Sequence, residues 1–398
     1  MAAGEMQGQP APSDGGTPIR EVDDPVEKWR WPGLRAAQRS ILRDVLVHGP
    51  RSRADLTRRS GLSRASLSRL TRELAAVGLV REGAALQQDR RGRPSERIEL
   101  VPEAAYFVGF KLTGNAVYLA VTDLGARVVH SEGQPLTTTA VGDVVAQMAH
   151  AVRRISARFG RVAAVGVCLA GDVRYEDGKA VVVGSAFLGW DQVGLETLLS
   201  AATGYPVAVS NDVQALTTAH HWFGLGVGKE PFVIIALGEG IGSGIVLDSD
   251  VVKGAHGRAG RVGHLAVTEG GPSCDRGHVG CVSAYATVPA ILRNSGAEGF
   301  WETLEEARRG DPLAATAFRN AGTALGAAVA TLVNIVDPER VLVTGEALAV
   351  AEFASAQMHE SIRLRLDPGT PFPDVQLGAF EFTDYAWGAA ITAIRVLV

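Results

Sequence analysis

Leu237-Gly238-Glu239-Gly240-Ile241-Gly242-Ser243-Gly244-Ile245 is the passage on which the fold turns. An apolar run, residues 232–237, leads into it, a second strand-like segment, 245–248, leads out, and glycine stands at every second position between. That pattern predicts strand, glycine turn, strand, with backbone amides open to a close ligand. A comparable passage lies upstream, where the buried-strand pattern of residues 162–169 ends in Ala170-Gly171-Asp172.

Working outward, each passage sits in its own alternation of strands and helices. In the first half, residues 108–112, 116–122 and 127–130 read as strands and 144–159 as an amphipathic helix. A helix (196–203), a strand (207–210) and a helix (213–223) follow strand 162–169. In the second half come a long small-residue helix (314–335), a strand (340–343) and a closing helix (385–398). Two glycine-punctuated sheets with covering helices predict a duplicated α/β body of two lobes. The lobes are expected at residues 104–221 with 385–398, and at 222–384.

The chain begins differently. Residues 1–31 are rich in Gly, Pro and acids and lack apolar periodicity, so a disordered tail is expected. In residues 32–100, Leu34, Ile41, Leu42, Val45 and Leu46 define a helix stopped at Gly49-Pro50. Ser52 caps a short helix with Asp55 at its third position, Gly61-Leu62 turns, and Ser63 caps another helix. Leu67, Leu70, Leu74 and Val77 form that helix's inner face. Two short strands, near 79–81 and 97–100, flank a polar loop, which completes a winged helix-turn-helix.

Charge follows the same division. The 398 residues carry a net charge of −4, yet residues 30–97 hold sixteen arginines, no lysine and six acids, a local +10. On the second helix Arg64, Ser66, Ser68, Arg69 and Arg72 are left for base edges, and Arg58 and Arg59 on the first suit phosphates. In the loop Arg90-Arg91-Gly92-Arg93-Pro94-Ser95, Arg91 and Arg93 fit a narrow minor groove. Double-stranded DNA is the expected partner. Three cysteines exclude a disulfide scaffold, and no apolar run is long enough for a membrane span, so a cytoplasmic protein is expected.

Six ordered landmarks carry a family resemblance. They are Gly166–Asp172, Leu188-Gly189-Trp190, Asn211-Asp212, residues 237–245, the run from Gly254 to His264, and Cys274 to Cys281. Across residues 40–398 the chain resembles the ROK family (repressors, open reading frames, kinases), and within it the transcriptional regulators. The resemblance implies an N-terminal winged helix-turn-helix joined to a two-lobed, actin/hexokinase-like (ribonuclease H-like) body of sugar-kinase type. It also implies a sugar-type effector between the lobes, homodimers or higher homo-oligomers, and control of carbohydrate genes.

Carried over residue by residue, Asp212 takes the place of the kinases' general base and Asn211 that of a sugar ligand. The same Asn-Asp pair also suits a plain helix cap. Gly171, Arg261 and His264 join them as the expected effector site.

The departures point away from phosphoryl transfer. Family kinases carry Asp-x-Gly-x-Thr where this chain reads Lys111-Leu112-Thr113-Gly114-Asn115, and Glu239 stands where nucleotide phosphate would approach. No enzyme, catalytic residue or cofactor is expected. In Ala259-Gly260-Arg261-Val262-Gly263-His264, arginine replaces the family's glutamate, and Cys281-Val282-Ser283 loses a second acid. Either the effector is larger or negatively charged, or Arg261 closes the site on Asp212.

The family's zinc set is one histidine and three cysteines. Here Cys274-Asp275-Arg276-Gly277-His278-Val279-Gly280-Cys281 has arginine at the middle position. A loop without metal is expected. A zinc held by His264, Cys274, Cys281 and His278, and a Cys274–Cys281 disulfide, are the other readings.

Overall fold

The computed structural model describes residues 29–83 and 97–398. Helices Ala36–His48, Arg53–Ser60 and Arg64–Ala76 accompany a small sheet in which Arg97–Leu100 lies between Arg51–Ser52 and Val80–Gly83. Both serine caps form as their spacing demands: Ser52 Oγ accepts from Asp55 N at 3.1 Å and Ser63 Oγ from Ser66 N at 3.2 Å. Gly61 closes the first helix of the pair at φ +67°, which a side chain would resist. One face differs from its sequence reading. Val77 is 47% exposed at the helix end, and Thr71 is buried in the inner row, its hydroxyl satisfied by Leu67 O at 3.0 Å.

The body contains two five-stranded sheets of the same design. The first runs in the order Val207–Asn211, Val162–Leu169, Tyr106–Leu112, Ala116–Asp123, Val128–Pro135; the second runs Asp250–Val251, Ile241–Leu247, Phe232–Leu237, Arg340–Thr344, Val375–Leu377. In each, one strand forms an antiparallel meander with the two that follow it and a parallel set with the two that come later. The second glycine passage departs from its reading here. The turn is confined to residues 238–240, and Gly242 and Gly244 lie inside strand Ile241–Leu247.

Two helices fill the space between the sheets. Helix Asp384–Leu397 lies so close to the first sheet that a methyl group at Gly109 or Gly166 would stand 1.9 or 1.8 Å from the carbonyl of Ala386 or Ala389. Helix Asp212–Phe223 packs on the second sheet, with Thr217 against Gly244, and on its fellow helix, with Ala215 against Gly388.

A single apolar cluster joins the N-terminal domain to the first lobe. Ile41, Leu42, Leu56, Leu67, Leu74 and Ile98 share it with Phe107, Ala164, Trp222, Ile391 and Ile394. Trp29 and Trp31, read in the sequence as the end of the tail, pack onto this cluster, the Trp31 ring 6.1 Å from that of Phe107. Large indoles bury more apolar surface than the surrounding composition suggests.

Candidate functional site

The parallel strands of each lobe end side by side and aim their C-terminal ends at the cleft, the usual place for a ligand in such sheets. Leu112, Leu169 and Asn211 are in register in the first lobe. The turn after Leu237 and the Gly345-Glu346 turn after Thr344 answer them in the second.

Asn211 and Asp212 open helix Asp212–Phe223. Asn211 Oδ1 accepts from the amides of Val213 (2.9 Å) and Gln214 (3.3 Å), and its Nδ2 donates to Gly171 O at 3.0 Å. The helix-cap role is therefore real, and it also ties Gly171 to the pair. Asp212 is buried, and its partner is Lys111, whose ammonium donates to Oδ2. Burial alone lowers a lysine. The Asp212 carboxylate, with Cys168 and Glu346 behind it, more than offsets that, and the Lys111 ammonium is held above the ordinary lysine range. The Tyr385 ring lies beneath it, 4.4 Å from Nζ to centroid.

Arg261 does not close the site on Asp212, as one reading of the sequence had it. Its guanidinium pairs with Asp172 together with that of Arg258, whose Nε donates to the same carboxylate at 2.9 Å. Asp172 belongs to the first lobe and both arginines to the loop after Asp250–Val251 in the second, so this triad spans the cleft. His264 Nδ1 faces two thiols, Cys274 Sγ at 3.7 Å and Cys281 Sγ at 3.9 Å. Both cysteines are free, and no disulfide links them.

The second lobe's side of the cleft carries two acids, Glu239 and Glu346. Glu346 stands over Gly238, where a methyl group would lie 2.8 Å from its Oε2. Burial raises the Glu346 carboxyl above the usual range, and Glu239 and Asp212 add to this against the pull of Lys111. Across the cleft, Thr113 Oγ1 accepts from Ala116 N at 3.0 Å and donates to Asn115 Oδ1 at 2.9 Å, closing that turn on itself.

Of the candidate nucleic-acid contacts, Arg64 and Arg69 are exposed on helix Arg64–Ala76 and form no ion pair among the described residues. Ser66 is tied to the Ser63 cap, Ser68 O accepts from Arg72 Nε at 3.1 Å, Arg58 pairs with Asp55, and Arg59 Nε with Asp44 at 2.7 Å. Arg91 and Arg93 lie outside the described residues.

Lys111, Asp172, Arg258, Glu346 and Tyr385 were missed as site residues. Lys111 alone had a signal: an ammonium inside the apolar strand Tyr106–Leu112 needs a buried partner.

The ROK family model matches residues 107–395. The chain is 25% identical over 349 residues to the DNA-binding transcriptional repressor Mlc of Escherichia coli, across 80% of this chain and 83% of that one. A solved ROK family transcriptional regulator, a homolog of the E. coli protein, has 26% identity and a TM-score of 0.75, over 91% of this chain and 96% of the other. A ROK family glucokinase from Streptomyces griseus, in complex with glucose and AMPPNP, has 27% identity and a TM-score of 0.62. It is covered completely by 73% of this chain. The kinase is thus matched over its whole length by about three quarters of this chain, whereas the match to the regulator takes in nearly all of it. The chain belongs to the ROK family.

Proposed function

We propose that this protein is a DNA-binding transcription regulator, a repressor of carbohydrate genes, whose kinase-like body senses a ligand and does not phosphorylate it. The observation that carries this reading is the Lys111–Asp212 ion pair. A general base must accept a proton from a substrate hydroxyl, and a carboxylate already holding a buried ammonium is a poor acceptor. Glu239 and Glu346 on the nucleotide side reinforce the loss, since phosphate there would meet two acids. Arg64 and Arg69, exposed and without an ion pair among the described residues, support operator DNA as the target of this winged helix-turn-helix. A cytoplasmic location follows from that target. No helix among the described residues is long and apolar enough to cross a membrane.

Signal transfer has a physical route. Helices Asp212–Phe223 and Asp384–Leu397 both start at the cleft, with Asp212 and Tyr385, and both end in the cluster shared with the N-terminal domain, through Trp222 and Ile394. At 1.5 Å per residue they span about 18–21 Å. Closure of the lobes on an effector shifts these rods and with them the winged helices of a homodimer, whose separation must match the operator's half-sites. That is allostery only if the effector prefers one lobe arrangement.

The effector side retains Gly171, Asn211, Asp212, Arg261 and His264. The two arginines on Asp172 are about half exposed, so an acidic sugar can compete with that carboxylate for them. Calorimetry with neutral and acidic sugars tests this: tighter binding of the acidic members is expected, and preference for a plain hexose contradicts it. A regulator without sugar effector is the second reading, favoured by Asp212 already being neutralised; silence across the whole panel would support it.

A further inference from the structure

We propose that Lys253 is an acylation site, its Nζ modified by an activated acyl donor, an acyl phosphate or an acyl thioester. Four lysines stand among the described residues, and three are engaged by carboxylates. Lys111 is buried on Asp212, Lys179 Nζ lies 3.2 Å from Glu196, and Lys229 Nζ lies 3.8 Å from Glu339. Lys253 pairs with no acid among the described residues. Its ammonium rests instead over the Tyr175 ring, 3.8 Å from Nζ to centroid.

The local chain sets this lysine apart. Lys253 follows strand Asp250–Val251, and Ala259 N donates to its carbonyl at 3.2 Å, closing the turn that begins at Gly254. Asp250, the acid nearest in sequence, is taken by Arg395. The Lys253 side chain is exposed, yet its surroundings shield the ammonium enough to hold it below the ordinary lysine range. Arg395 adds to this and Asp250 opposes it. An amine near a cation and without a counter-ion is the kind of lysine that reacts as a nucleophile. The ring favours the ammonium form but takes no proton, so the neutral amine strands no charge when it forms.

The step balances without a further co-reactant. The Nζ lone pair attacks the acyl carbon and a C–N bond forms. The bond from that carbon to the phosphate oxygen or thioester sulfur breaks, and the leaving phosphate or thiolate takes the electron pair. The nitrogen's extra proton passes to water. The product is an uncharged amide, which no longer sits on the ring as a cation. Lys253 belongs to the second lobe and Tyr175 to strand Asp172–Glu176 of the first, the strand whose Asp172 holds Arg258 and Arg261. Modification therefore removes one attraction between the lobes. Its effect on signalling rests on the function proposed above; the modification itself does not.

The test reads modification alone, independently of operator or sugar binding. Full-length protein is incubated with acetyl phosphate or with acetyl-coenzyme A, and acetylation of each lysine is followed by peptide mass spectrometry. Lys253 is expected to react severalfold faster than Lys179 and Lys229 with at least one donor, and the donor that gives the preference identifies the source. Lys253→Arg should lose that fast phase and leave the rates at Lys179 and Lys229 unchanged. In concentrated urea the preference should disappear, because the fold and not the neighbouring sequence creates it. Equal rates at the three lysines of the folded protein overturn the proposal, as does a preference that survives unfolding.

Discussion

Lys111, on strand Tyr106–Leu112, and Asp212, the first residue of helix Asp212–Phe223, meet in a buried ion pair, their side chains 5% and 12% exposed. In this pair the lysine that replaces an acid of the family's phosphate motif neutralises the carboxylate that would act as base. Removing one partner strands a buried charge, whereas removing both does not. Lys111→Met and Asp212→Asn should each lower stability by about 3–5 kcal/mol, and the double variant should cost less than either single one. Urea unfolding of the three variants measures this. Costs that simply add would show the pair to be uncoupled.

His220 makes the fold acid-sensitive. Both its ring nitrogens are buried without a hydrogen-bond partner among the described residues, and burial pushes its pKa down to about 4 from the ordinary histidine value of 6.5. Below the upper value the unfolded chain takes up a proton that the folded chain refuses. The neutral ring's contribution is therefore fully present above about pH 6.5 and is lost progressively as pH falls to about 4, for a total of about 3 kcal/mol. His220→Leu should flatten the stability profile between about pH 6.5 and 5 by about 2 kcal/mol. An unchanged profile would remove His220 from the account.

Asp172 holds Arg258 and Arg261 across the cleft, and because both arginines are about half exposed the triad is worth little to stability. Asp172→Asn should change the unfolding free energy by less than about 1 kcal/mol. It should nevertheless tighten binding of an acidic sugar, because two guanidiniums lose their internal partner. Weaker binding in calorimetry would show that Asp172 itself recognises the ligand.

Arg64 and Arg69 should each matter more to DNA than Arg58 or Arg59, which have carboxylate partners. Alanine at either of the first two should cost about 1–3 kcal/mol of operator affinity. Alanine at Arg58 or Arg59 should cost less and reduce the salt dependence by about one unit of slope if it removes a phosphate contact. Titrations at several salt concentrations separate the two effects.

Much of the fold was legible because it rests on local pattern. Strand Val162–Leu169 is apolar throughout and was read to the residue; the caps at Ser52 and Ser63 follow from spacing alone. The antiparallel sheet formed by Asp172–Glu176, Lys179–Ser185 and Trp190–Val193 was missed although Asp177-Gly178, both at positive φ, carry a hairpin signal. Gly242 and Gly244 were read as turn because glycine stands at every second position between the two strand-like runs. In the fold they admit helix Asp212–Phe223, Gly244 facing Thr217.

The site was legible by kind and not by pairing. Lys111 stands 101 residues from Asp212, and Arg261 stands 89 from Asp172. No periodicity reports such separations, and the choice between Asp172 and Asp212 for Arg261 depends on how the lobes meet. His278 is the reverse case, four residues from Cys274, where one tight turn supplied the geometry.

The most direct measurement is an anisotropy titration of full-length protein against duplex DNA flanking its own gene. The wild type should bind that duplex more tightly than a scrambled one, with a steep loss on adding salt, and the Arg64→Ala/Arg69→Ala variant should lose the preference. Equal binding of both duplexes by the wild type, or an unchanged preference in the variant, would contradict the assignment of this winged helix as an operator reader.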